Sequence, residues 1–169
     1  MGTTLKTTDF DDVEFLLRAS KETSVVSNTY FPSFSSKKEV VEWLAEEENS
    51  FVILEDGESV GAISIHAKVN KGGAQLALPR DSREIEIWLM PVARGRGIAQ
   101  RAHSELLTRF HDRCPLVAII WSENESSIRL FSSLGYEHVA DIHWTGPDGQ
   151  GPCWVGILDP SHWSLSTQK

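Results

Sequence analysis

The apolar residues of this chain fall into short blocks whose spacing changes from one block to the next. Thr3–Thr7 reads as a short first strand. Asp9–Lys21 reads as a helix: Thr8 or Asp9 caps it, Asp11, Asp12 and Glu14 fill its first turn, and Phe10, Val13, Leu16 and Leu17 make its apolar face. Ser24–Ser35, rich in serine with an Asn and a Pro, is expected to be a loop. Ser36 and Glu39 form a capping box for a second helix with Val40, Trp43 and Leu44 on one face, and Glu46–Glu48 is its solvated end. Ser50–Glu55 and Ser59–Ala67 pair as a hairpin about Asp56-Gly57.

Lys68–Ser82 carries Gly72-Gly73 and Pro79 and reads as a long, mobile connection before a strand at Arg83–Met90. Ile98–His111 has helical spacing. Leu116–Trp121 is a continuous apolar run, as in a strand buried on both faces. Asn124–Leu134 is a helix stopped by Gly135, and Tyr136–Trp144 and Pro152–Leu158 close the chain as two strands about a turn-rich Gly146–Gly151. The predicted order is β-α-α-β-β-β-α-β-α-β-β. That order implies a mixed α/β fold, a twisted sheet of about seven strands flanked by about four helices. No repeat or low-complexity tract interrupts it, and 169 residues suit a single domain over 1–169.

Composition narrows the class. With 40% hydrophobic and 24% charged residues the chain reads as an ordinary soluble globular protein, and no apolar run approaches the roughly 20 residues of a membrane span. The N-terminal segment has no secretory h-region, and Lys6 stands where a myristoylation motif wants Ser or Thr. Cys114 and Cys153 are the only cysteines, which fits free thiols in a reducing compartment, although a disulfide between them is not excluded by sequence. A cytoplasmic protein is therefore expected. The net charge of -8 argues against nucleic acid and suits a cationic substrate. None of the six histidines has the His-x-x-x-His spacing of a zinc helix, so no metal is expected.

Against that acidic background Arg94, Arg96 and Arg101 stand close together, in and after Arg94-Gly95-Arg96-Gly97-Ile98-Ala99. This glycine-rich turn lies between a strand and a helix. The first N–H groups of a helix lack intrahelical partners and its dipole is positive there, so such a turn suits a phosphate or pyrophosphate. It is neither a dinucleotide fingerprint nor a P-loop, because the third glycine and the Gly-Lys-Ser/Thr are missing. Arg-Gly tracts that bind RNA repeat in disordered segments, unlike this one, which leaves RNA binding as a remote third reading.

With its flanks the segment resembles a known motif. Glu84-Ile85-Glu86-Ile87-Trp88-Leu89-Met90-Pro91, followed by Arg94-x-x-Gly97-x-Ala99 and a helix, is similar to the acyl-CoA motif of the GNAT superfamily of N-acetyltransferases. Downstream, Asn124-x-x-Ser127 in a helix ending at Gly135-Tyr136 resembles that family's second motif. Within the superfamily the pattern is most like the RimJ/RimL-type group, protein N-terminal acetyltransferases with spermidine acetyltransferases as relatives.

The resemblance implies the pyrophosphate of acetyl-CoA on Arg94, Gly95, Arg96, Gly97, Ile98 and Ala99, with the pantetheine arm along Leu89 and Met90 and against Asn124. Phe131 would pack on that arm or in the core. It implies direct transfer of the acetyl group to a primary amine: a protein N-terminus, a polyamine or another small amine. A base, an oxyanion donor and an acid are then required. Glu84 and Glu86 share one strand face and are the candidate bases, Glu86 first because it lies nearer the strand's carboxyl end. The N–H of Leu89 is the family's usual oxyanion donor. Phe131 stands where many relatives have a tyrosine, so Ser127 is the candidate proton donor or thiol contact. That missing tyrosine keeps a non-catalytic acyl-CoA-binding or sensor protein as the alternative. Loops Ser24–Ser35 and Lys68–Ser82 would wall the acceptor site. His66 could face it. Trp121 sits at a strand's carboxyl end, where ligands bind in open sheets. Trp144, Trp154 and Trp163 could line the acceptor pocket, form a homodimer surface or fill the core.

Overall fold

The computed structural model describes residues 2–69, 76–146 and 149–163. Seven strands form one sheet in the order β1-β2-β3-β4-β5-β7-β6. They are β1 Thr3–Thr7, β2 Ser50–Glu55, β3 Glu58–His66, β4 Arg83–Leu89, β5 Leu116–Trp121, β6 Glu137–Gly146 and β7 Gly149–Leu158. The helices are α1 Val13–Ala19, α2 Thr23–Val26, α3 Lys37–Leu44, α4 Ile98–Arg109 and α5 Glu125–Ser133. The chain forms two compact units, Met1–Ile65 with Glu86–Leu106, and His66–Ile85 with Leu107–Lys169.

In the first unit β1, β2 and β3 pair antiparallel, with Thr3 opposite Glu55. The β2–β3 turn uses left-handed Asp56 (φ 51°) and Gly57 (φ 88°), as a two-residue hairpin requires. Gly61 is needed for a different reason. A Cβ there would stand 2.2 Å from the carbonyl oxygen of Trp88 and 2.7 Å from Cδ2 of Leu89. The core gathers Phe15, Leu16, Val25, Phe31, Val40 and Trp88. Its centre is aromatic: the Phe31 ring lies 4.7 Å from Trp88 and 5.5 Å from Trp43, and Phe15 stacks on Trp88 at 5.9 Å. Such pairs add directionality to apolar burial.

The predicted first helix divides. Phe10–Asp12 is a 3-10 turn, capped by Asp9, and the α-helix starts at Val13. The tighter turn takes Phe10 off the apolar stripe and leaves it 64% exposed. The segment expected to be all loop contains α2. Its four residues, Thr23–Val26, are too few to show a helical period, and buried Val25 fixes them.

In the second unit β4 runs parallel to β5, with Arg83 opposite Leu116 and Glu84 opposite Val117. Strand β7 lies antiparallel between β5 and β6. Left-handed Gly135 (φ 93°) ends α5, and the Tyr136 N–H closes on the Phe131 carbonyl at 3.1 Å, a Schellman cap. Tryptophans here lie over glycines. Trp121 covers Gly149 and Gly151, Trp144 folds over Gly146, and Trp154 covers Gly156 while His138 stacks on it at 5.7 Å. At Gly146 and Gly156 the missing Cβ makes room for the indole. Trp163 is buried, its ring 6.1 Å from Phe110. Cys114 and Cys153 are free and buried, so no disulfide joins them. Gly72 and Gly73 of the expected connection lie outside the described residues.

Candidate functional site

The first unit carries the turn. After β4 the chain makes a 3-10 turn at Pro91–Ala93, then reverses through Gly95 (φ 73°) and Gly97 (φ 71°) into α4. Both left-handed positions favour glycine. A Cβ on Gly95 would meet nothing within 4 Å, and one on Gly97 would approach Arg101 Nη1 at 3.1 Å and Gln100 Oε1 at 3.8 Å, both side-chain ends. The backbone is bare and exposed on that side. Buried Ile98, Ala102 and Leu106 seat the helix, so its N-terminus is fixed while the turn stays open. An open glycine backbone at a seated helix N-terminus fits a pyrophosphate.

The arginines divide their work. Arg101 is built in: Nε donates to Thr3 Oγ1 (2.8 Å), Nη1 to the Arg96 carbonyl (3.0 Å) and Nη2 to Glu55 Oε1 (3.0 Å). Thr3 Oγ1 also donates to Glu55 Oε2 at 2.5 Å. This hydrogen bond, together with the Arg101 and Arg96 charges, holds the Glu55 carboxyl below the usual carboxylate range. Arg96 reaches the same carboxylate more loosely, at 3.8 Å, with its side chain 54% exposed. Arg94 turns back instead. Its Nε donates to the Leu89 carbonyl and its Nη2 to Ser24 Oγ, both at 3.0 Å. Arg96 is thus the arginine turned most toward solvent chemistry, and Glu55 is its opposing charge.

Just past β4 the Met90 N–H donates to the Val60 carbonyl at 2.8 Å, toward β3. Main-chain groups of successive strand residues alternate in direction, so the N–H and C=O of Leu89 face the other edge. The Met90 side chain packs against the aromatic core. Glu86 is half-buried on the same strand face as Trp88. Glu84, two residues back in the second unit, is 1% exposed.

The second unit holds the other expected residues. Asn124 caps α5, its Oδ1 accepting from the Ser127 N–H at 3.3 Å and from Ser126 Oγ at 3.1 Å. Its own N–H closes the turn onto the Trp121 carbonyl at 2.8 Å. Ser127 is half-buried in the first turn of α5. Phe131 is buried edge-on to Tyr136 at 4.9 Å. Burial pushes the Tyr136 phenol well above its ordinary value. His66 ends β3, half-buried. Thus Glu86, Leu89, Met90 and Arg94–Ala99 are gathered in one unit, and Glu84, Asn124, Ser127 and Phe131 in the other. Sequence reasoning missed Thr3, Ser24 and Glu55. Among the described residues no group of three or more His, Cys, Asp or Glu could hold a metal ion, and no helix is long and apolar enough to cross a membrane.

A family model described as an acetyltransferase (GNAT) domain matches residues 3–137. The chain belongs to the GNAT acetyltransferase domain family. Solved structures share the fold at low identity. An N-acetyltransferase from Staphylococcus aureus Mu50 has a TM-score of 0.70 at 20% identity, with 95% of this chain and 99% of that one covered. Spermidine N-acetyltransferase from Vibrio cholerae, in complex with CoA and spermine, has a TM-score of 0.76 at 14% identity, covering 96% and 98%. AAC(6')-Ib with ribostamycin and coenzyme A has 0.77 at 17%, covering 100% and 99%. No match was found among curated proteins.

Proposed function

We propose that this GNAT protein transfers an acetyl group from acetyl-CoA to a primary amine. The observation that carries the reading is the open turn: two left-handed glycines without side chains at the seated N-terminus of α4, directly after a strand end whose Leu89 peptide groups face outward. The backbone of Arg94–Ala99 and the Arg96 guanidinium hold the pyrophosphate, and Leu89 and Asn124 hold the pantetheine arm. Bound acetyl-CoA supplies an activated acyl thioester. The chain's own residues do the rest. Glu86 takes the proton from the amine, and its half-buried position favours it over Glu84, which is closed off at 1% exposure. The Leu89 N–H stabilises negative charge on the acyl oxygen. Ser127, or a water it orients, returns a proton to sulfur.

The family model spans residues 3–137 and so takes in parts of both compact units, which supports reading the chain as one acyltransferase domain. Structural relatives bound to spermine and ribostamycin support a cationic small amine as acceptor, and the net charge of -8 agrees. The RimJ/RimL-like pattern adds a protein N-terminus as a second acceptor class. One observation favours the non-catalytic alternative: the buried Phe131, which has no proton to give.

Calorimetric titration of acetyl-CoA, with Gly97→Glu as control, tests the cofactor. Micromolar binding that the variant loses supports the reading, and no binding by the unmodified protein sinks it. Turnover with an amine panel then separates enzyme from sensor.

A further inference from the structure

Ser24 and Arg94 lie 70 positions apart in the chain, yet a single guanidinium joins α2 to the end of β4. Arg94 holds the Leu89 carbonyl with Nε and Ser24 Oγ with Nη2, each at 3.0 Å. The same stretch has a second anchor on the neighbouring residue of the strand: Phe31 packs on Trp88 at 4.7 Å. Between the anchors the segment is internally tied. Thr29 Oγ1 donates to the Val25 carbonyl at 2.9 Å and accepts from the Phe31 N–H at 3.2 Å. Val25 itself is fully buried. Two consecutive residues of β4 are therefore tied to the two ends of segment 24–31, Trp88 directly through its ring and Leu89 by way of Arg94.

We infer that Arg94 is a positioning residue for the amine acceptor: it sets segment 24–31 on the strand end that carries the cofactor. The inference rests on the acetyl-CoA reading of Leu89. A pantetheine amide drawn up to the Leu89 edge fixes the peptide that Arg94 grips, and Arg94 passes that restraint to α2 through Ser24. The loop that walls the acceptor is then ordered by the cofactor beneath it. The pair is polar and solvent-accessible, so its grip alone is modest, and a ligand that stiffens one side has room to change the other.

The test is backbone amide hydrogen exchange over residues 23–31, with and without saturating CoA, in the full chain and in Ser24→Ala and Ser24→Thr. CoA affinity is measured alongside by calorimetry. The expected result is slower exchange on adding CoA in the unmodified protein and in Ser24→Thr, with that slowing lost in Ser24→Ala. CoA should still bind all three, weaker in Ser24→Ala by no more than the factor of slowing that variant loses, because the coupling is reciprocal and Ser24 lies outside the turn. CoA binding without any change over 23–31, or a change that persists in Ser24→Ala, overturns the inference while leaving the cofactor reading intact. No CoA binding by the unmodified protein overturns both.

Discussion

Arg101 and Glu55 meet Nη2 to Oε1 at 3.0 Å, across 46 residues of sequence. Their pairing places a carboxylate beside the glycine turn proposed for the pyrophosphate. Glu55 would thus oppose a phosphate held at that turn, while Arg101 Nη1 donates to the Arg96 carbonyl.

Glu55→Gln should keep an acceptor oxygen for Arg101 and present an amide NH2 that Thr3 Oγ1 can accept from, while removing the opposing charge. Acetyl-CoA should then bind several-fold tighter at low ionic strength, and the gain should shrink as salt is raised past about 0.15 M. Arg101→Ala should act the other way, weakening binding by loosening the turn. Calorimetry across a salt series reads both. Equal affinities at all salt concentrations would remove Glu55 from the account of the turn.

Glu86→Gln should lower kcat by roughly a hundredfold or more while leaving acetyl-CoA affinity unchanged, as expected for loss of a general base. Ser127→Ala should cost less, about tenfold, because a water can replace a hydroxyl. Steady-state kinetics with the best amine of the panel decides. A Glu86→Gln enzyme of normal kcat would move the base to Glu84.

Gly61→Ala should destabilise the fold by roughly 3 kcal/mol. Its new methyl would press on the Trp88 carbonyl, which is backbone and has little room to yield. Urea unfolding measures the loss. A change below about 0.5 kcal/mol would mean that β3 can shift away from β4.

His103 on α4 is 1% exposed, and burial pushes its imidazole down to about 4 from an ordinary 6.5. The unfolded chain binds a proton there that the folded one refuses. Stability is therefore complete above pH 6.5 and falls as pH drops through 6.5 toward 4, by roughly 3 kcal/mol. Asp9, Glu55 and Asp159 are held below the usual carboxylate range by hydrogen bonds from Lys6, Thr3 and Ser161, so their share is lost at lower pH still. Unfolding followed from pH 7 to 4 should show the decline, and His103→Leu should flatten it. An unchanged slope in that variant would assign the decline to other groups.

Much of this architecture was legible because its signals are local. Asp56-Gly57 marks a turn by its own backbone preference, and Arg94–Ala99 between a strand and a helix is a contiguous motif. Gly135 and Asn124 cap α5 as short-range spacing predicts. What sequence could not show is non-local. The three arginines read as one cationic patch, but Glu55 and Thr3 enter from β2 and β1 and bind Arg101 into the frame. Nothing near Glu55 in the chain announces that partner. Ser24 was hidden in the same way, inside a helix of four residues. The seat of Trp121 is a pair of glycines on β7, visible only once the register is known, whereas Trp144 and Trp154 lie over glycines two residues on in their own strands, a local signal that sequence reasoning missed.

The chain passes between its two compact units three times, after Ile65 at the end of β3, after Ile85 inside β4 and after Leu106 inside α4. A cut that released either unit would have to break the end of β3 and sever β4 and α4 midway. Neither unit can therefore be excised with all of its strands and helices whole.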